Sequence, residues 1–224
     1  QILAVSVGMV DTMMVSSVGE AATSGVSLVD MVNTLFINIF AAVATGGAVV
    51  SSQYLGQKRQ DRACQSADQL LIITGILSLA IMAVCIVFRR EFLSLLYRGV
   101  AEDVMRNART YLVISAVSYP FLSVYNSCAA LFRSMGNSKI SMQASIIMNM
   151  INVIGDSIFI FIFRWGVAGA ALASLISRMA ACFILLLRLR NRNLDIHIGT
   201  SLKMNRRMVR QILHIGIPNG IENS

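Results

Sequence analysis

The chain has 224 residues, of which 56% are hydrophobic and only 13% charged, and its mean hydropathy is +0.69. A soluble domain carries about 25% charged residues, so an ordinary cytosolic enzyme is excluded. The net charge of +8 would point to nucleic acid in a soluble chain, but basic loops flanking membrane spans account for it here, and no nucleic-acid partner is expected.

Charge clusters and glycines divide the chain into apolar runs. The first covers residues 1–18 and is incomplete, the second about 28–54, and the third about 67–88. The loop at 89–105 alternates apolar and charged residues, which fits a short interfacial helix. The fourth run covers about 108–132, the fifth about 140–163 and the sixth about 167–189, and a seventh begins near Val209. A spanning helix takes roughly 20 residues to cross a hydrocarbon core of about 30 Å, and each complete run is long enough. Alternation with period two is almost absent, which argues against a β-barrel.

The predicted fold is therefore all-α, a polytopic membrane bundle. Residues 1–189 form one six-helix lobe with a truncated first helix, 190–208 a cytoplasmic linker, and 209–224 the start of a second lobe. Because the chain opens and closes within apolar runs, it reads as a piece of a longer protein. The four cysteines (Cys64, Cys85, Cys128 and Cys182) match neither a zinc spacing nor a disulfide framework and read as packed free thiols.

Basic residues set the orientation. Twelve fall on one side, in the loops around Lys58 and Arg133 and from Arg188 to Arg210; six fall on the other, namely Arg89, Arg90, Arg98, Arg106, Arg109 and Arg164. The richer side is predicted to be cytoplasmic. Spans five and six then form a hairpin whose tip, near Arg164 and Trp165, faces outside. Arg178 alone among the basic residues falls inside a span, where it either reaches for the interface or pairs across the bundle.

Ionisable groups in a bilayer cost a few kcal/mol each, so those that remain are informative. Asp11 and Asp156 each precede the outer end of their span by about seven residues, roughly 10 Å of helix. Ser174 enters span six to a similar depth, which puts three polar groups from three helices at one level. On span five, Ser145, Asn149, Asn152 and Asp156 step by four, three and four, which places them on one stripe amid isoleucines. Such a stripe must face protein or water. Hydrogen bonding between helices is the usual fate of Asn and Ser in a membrane, but a carboxylate is poor glue. Asn38, Tyr119, Asn126 and Asn149 are candidates to line the same cavity, and Pro120 is expected to bend span four. Asp30 and Asp68 sit near predicted span ends, within reach of headgroups. Gly166, Gly169, Ala170, Ala173, Ser174 and Ser177 give span six a small-residue face, suited to close approach by span five.

Five segments, in order, carry a resemblance: MVDTMMVSSVG at 9–19, QYLGQKRQDRA at 53–63, LFRSMGNSK at 131–139, NVIGDSIFIF at 152–161 and GVAGAALASLISR at 166–178. With them the chain resembles the multidrug and toxic compound extrusion (MATE) family of secondary transporters over essentially its whole length. The tail HIGIPNGIENS resembles the entry to that family's helix seven. The resemblance implies a twelve-helix antiporter of two lobes in a bacterial inner-membrane type of membrane. It would export organic, often cationic, compounds against H⁺ or Na⁺, with no cofactor beyond that ion. It also implies a cation site at Asp11, Asn152, Asp156 and Ser174, the last replacing a frequent Thr. The expected partners are a small-molecule substrate, membrane lipid and the second lobe of the same chain. An enzyme is not expected: an intramembrane aspartyl protease would need a glycine where Val153 stands. The alternative is a lipid-intermediate flippase of related architecture, whose cavity would hold several arginines.

Overall fold

The computed structural model describes residues 13–199 and 203–222. Among these residues the chain is a succession of helices: α1 (Glu20–Gly56), α2 (Gln60–Val87), the short α3 (Arg89–Leu96), α4 (Glu102–Ser134), α5 (Ser138–Asp156, continued by a π-helical turn, Ser157–Ile162), α6 (Gly166–Leu189) and α7 (Arg206–Glu222). Five of them, α1, α2, α4, α5 with its π turn, and α6, are long and apolar enough to cross a membrane. They correspond to predicted spans two to six, so the chain is a multi-pass membrane protein. Most of predicted span one lies outside the described residues.

The helices overrun the apolar stretches that announce them. α1 begins eight residues ahead of the apolar run, directly after Gly19, whose φ of +137° separates it from the helical residues 13–16. At 37 residues and 1.5 Å per residue it is roughly 55 Å long, well over the hydrocarbon thickness. Asp30, expected near a span end, therefore lies ten residues inside α1. α7 starts at Arg206 because the side chain of Asn205 caps it, accepting from the backbone N–H of Arg207 (3.2 Å) and Met208 (3.4 Å).

Contacts gather the chain into two compact units, each discontinuous. The first comprises the segment up to Thr34 with Ala80–Tyr119 and Ile146–Ala180. Its core joins Val15, Val26 and Val29 to Leu93, Leu112, Ile160 and Val167. Gly25 lets α1 approach α4 closely, since a Cβ there would stand 2.9 Å from the carbonyl oxygen of Val104. The 89–105 loop does contain a short helix, α3, which buries Leu93 and exposes Arg89 and Arg90. The Tyr97 hydroxyl at its end donates to the Leu28 carbonyl (2.9 Å).

The second unit comprises Leu35–Leu79, Pro120–Ser145 and the segment from Ala181 onward. Here Ser123 and Ser127 of α4 donate to the carbonyl and hydroxyl oxygens of Thr74 on α2 (3.1 and 3.2 Å). The segment after α6 is held on α2. Gln69 donates to the Lys203 carbonyl (2.7 Å) and accepts from the Asn205 N–H (2.8 Å), and the Gly199 N–H donates to Asp68 (2.9 Å). Asp68 thus anchors backbone rather than reaching for headgroups. Arg59, Arg62, Arg207 and Arg210 converge with Tyr54 and His214 on a cavity of about 700 Å³. The four cysteines are free thiols, three of them buried.

Gly46 of α1 has no room for a side chain, because a Cβ would meet the Gly216 N and Ile212 O of α7 at 2.7 Å, backbone against backbone. Gly75 of α2 has open space. Gly46→Ala should therefore destabilise the full-length protein by about 1–3 kcal/mol. A thermal-melting assay in detergent should show a lowered midpoint for this variant and an unchanged or raised one for Gly75→Ala. Equal midpoints would contradict the packing described for α1 and α7.

Candidate functional site

The seam between α5 and α6 is built on small residues. A Cβ on Gly155 would lie 2.9 Å from that of Ala173, and one on Gly169 would lie 2.9 Å from Cβ and 3.1 Å from the backbone of Phe159. The glycines of both helices therefore let the two backbones approach as the small-residue face of α6 required. At the hairpin tip, Trp165 stacks on Phe159 and Phe163, with ring centroids 5.4 and 5.1 Å apart. The reversal uses left-handed backbone at Arg164 and Gly166, both at φ +55°.

That close approach sets the distance between polar groups. Asn152 Nδ2 donates to Ser174 Oγ across the seam at 3.2 Å. One turn further along α5, Asp156 is completely buried. The opposite flank of α5 carries Met150, Ile154 and Phe161, each more than half exposed, as lipid-facing residues should be. The polar stripe is turned away from them. Asn149 is half-buried on that stripe, and Ser145, in the second unit, hydrogen-bonds the Tyr125 hydroxyl.

Asp156 is also the last residue before the helix widens. Beyond it the N–H of Phe163 bonds the carbonyl of Ile158 (3.0 Å), five residues back. A π turn of this kind is uncommon and recurs at functional sites. It turns Ile160 into the core of the first unit while Phe159 meets Gly169. Sequence reading gave no sign of it, since the isoleucines and phenylalanines of 158–163 ahead of the Arg164 reversal fit an ordinary helix equally well.

The remaining candidates separate. Asp11 lies outside the described residues. Tyr119 is fully buried in the first unit, where its hydroxyl donates to Asn33 Oδ1 (2.6 Å). Asn38 and Asn126 belong to the second unit and are half-buried. The Nδ2 of Asn126 is shielded from solvent and has no hydrogen-bond partner among the described residues. A carboxylate, an amide and a hydroxyl brought together on α5 and α6 form an all-oxygen acceptor set. Such a set suits a proton or a hard cation rather than a soft transition metal.

Comparison with known proteins agrees with this architecture. The family model MatE matches residues 1–158. The uncharacterized transporter YisQ of Bacillus subtilis is 30% identical over 224 residues, spanning 96% of this chain and 48% of that protein. The multidrug export protein MepA of Staphylococcus aureus is 27% identical over 197 residues, spanning 87% of this chain and 43% of MepA. A crystal structure of MATE in the bent conformation superposes with a TM-score of 0.91 at 21% identity, over 99% of this chain and 49% of that one. An inward-facing multidrug resistance MATE transporter gives 0.89 at 22%, over 96% and 49%. The chain thus spans about half the length of the curated relatives it matches, and its fold is that of the corresponding part of the solved transporters.

The Asn152–Ser174 bond can be weighed by a double-mutant cycle on the full-length protein. Asn152→Ala and Ser174→Ala, singly and together, should reveal a coupling of about 0.5–1.5 kcal/mol, the range of interhelical hydrogen bonds in membranes. Additive effects would mean that the two side chains do not meet.

Proposed function

From the premise that the chain belongs to the MATE family, we propose that the protein is a secondary active antiporter. It exports organic, often cationic, compounds in exchange for H⁺ or Na⁺ across a cell membrane, as in the bacterial inner membrane. One observation carries the reading: Asp156 is fully enclosed inside an apolar membrane helix, one turn from the Asn152–Ser174 bridge. A buried carboxyl is a costly substitute for the amides and hydroxyls that hold membrane helices together, and binding a cation or proton is what it does that they cannot.

The sequence puts Asp11 at the same depth as Asp156, and in this mechanism the two carboxyls share the coupling ion. A proton or Na⁺ entering from outside relieves their mutual repulsion. With Asn152 and Ser174 supplying further oxygens, the loaded site lets the first helix repack against α5 and α6, and the cavity closes behind the departing cargo. The ion drives this only to the extent that it binds the two conformations with different affinity; a hundredfold bias takes about 2.7 kcal/mol. The cargo, the membrane lipid and the rest of the polypeptide complete the working assembly. A lipid-intermediate flippase would call for several arginines in its cavity, whereas Arg178, midway along α6, is engaged with Ser118.

Asp156→Asn keeps the shape and removes the charge. The full-length variant should reach the membrane at wild-type levels and lose drug efflux in cells by tenfold or more. In vesicles, cargo movement should no longer respond to an imposed pH or Na⁺ gradient. Undiminished gradient-driven efflux by this variant would refute the coupling role.

A further inference from the structure

Arg178 stands on α6 four residues after Ser174, so one helical turn, or about 6 Å of rise, separates it from the Asn152–Ser174 bridge. Its Nη1 donates to Ser118 Oγ of α4 at 2.5 Å. The neighbouring residue on α4, Tyr119, donates to Asn33 Oδ1 of α1 (2.6 Å), and Asn33 Nδ2 donates to Asp30 Oδ1 (3.2 Å). Ser118 and Tyr119 are fully buried and Asn33 nearly so. All of these residues lie within the first unit. A charge of each sign is therefore held in the first unit by its own short polar chain, Arg178 through Ser118 and Asp30 through Asn33 and Tyr119, the two chains meeting α4 at successive residues and Arg178 lying one turn from Ser174.

Holding helices together does not require charge; Ser, Thr and Asn suffice and cost less in a bilayer. What a charged pair adds is a field. We propose that Arg178 and Asp30 tune the ion affinity of the Asn152–Asp156–Ser174 site. Arg178 weakens cation binding so that the ion is released, and Asp30 offsets it so that the ion is still captured. The inference rests on reading that site as the coupling site. A unit charge at about 8 Å, with the effective dielectric of a protein interior, is worth on the order of tenfold or more in affinity.

The test is gradient-driven transport by the full-length protein in liposomes, titrated with Na⁺ at fixed pH and with H⁺ at fixed Na⁺. Arg178→Gln, which keeps a donor for Ser118, should lower the half-saturating ion concentration about tenfold. Asp30→Asn should raise it about tenfold, and the double variant should return to within about threefold of wild type. Arg178→Lys, which retains the charge, should stay near wild type and guards against a folding artefact. Ser118→Ala keeps both charges and should alter half-saturation less than either neutralisation. Single variants that shift in the same direction, or show no shift while Asp156→Asn still abolishes ion dependence, would overturn the tuning role alone. Unchanged ion dependence in Asp156→Asn would overturn the coupling site and the tuning role together.

Discussion

A bilayer interior offers no water, so every polar group carried into it must find its partner within the protein. That constraint organises this structure from the side chains upward. Hydroxyls on the spanning helices fold back on their own backbones, as Thr34 does to Asp30, Thr45 to Ala41, Thr74 to Leu70 and Ser157 to Val153. Longer polar groups reach across to neighbouring helices, as Asn152 does to Ser174 and Tyr119 to Asn33. The surplus apolar residues point the other way: Met31 and Leu35 on α1, Ile76 and Leu79 on α2, and Phe183 and Leu187 on α6 remain about half exposed or more. The hydrophobic effect that packs a soluble core adds little between helices surrounded by lipid, so close contact here relies on glycine and alanine.

The α5–α6 seam shows how such packing produces a site. Gly155 against Ala173, and Gly169 against Phe159, set the separation at which an amide on one helix meets a hydroxyl on the other. A bulky residue at either glycine would separate the helices and break that bond. The π turn then begins directly after Asp156, so the carboxyl sits where the helix departs from regular pitch. Regular helix up to that point fixes the relation of Asp156 to Asn152. The wider turn beyond it lets Ile160 and Phe159 meet their own partners without dragging the carboxyl along.

Sequence pattern exposed most of this architecture because hydropathy and helical period act over long stretches. The spans, the stripe Ser145–Asn149–Asn152–Asp156 and the small-residue face of α6 all follow from spacing alone. Features that depend on a partner far along the chain stayed hidden. Asp68 looked like a headgroup contact because nothing in its neighbourhood announces the Gly199 N–H that it accepts. Asp30 looked peripheral because hydropathy marks where a helix enters the hydrocarbon, not where it begins; Glu20–Leu28 is helical but too polar to register. Tyr119 was one cavity candidate among several until the fold joined it to Asn33. The π turn was invisible because it changes the pitch of a segment whose composition fits an ordinary helix equally well.

The account comes down to whether the enclosed carboxyl on α5 is where the coupling ion binds. Equilibrium binding to the purified full-length protein measures this without involving transport. Na⁺ uptake by calorimetry and proton uptake after a pH jump should both be compared between wild type and a variant neutral at Asp156. The account predicts that the wild type takes up one more ion or proton per molecule, in whichever of the two titrations drives exchange. Identical stoichiometry and affinity in both titrations would contradict it and would leave Asp156 as a structural residue.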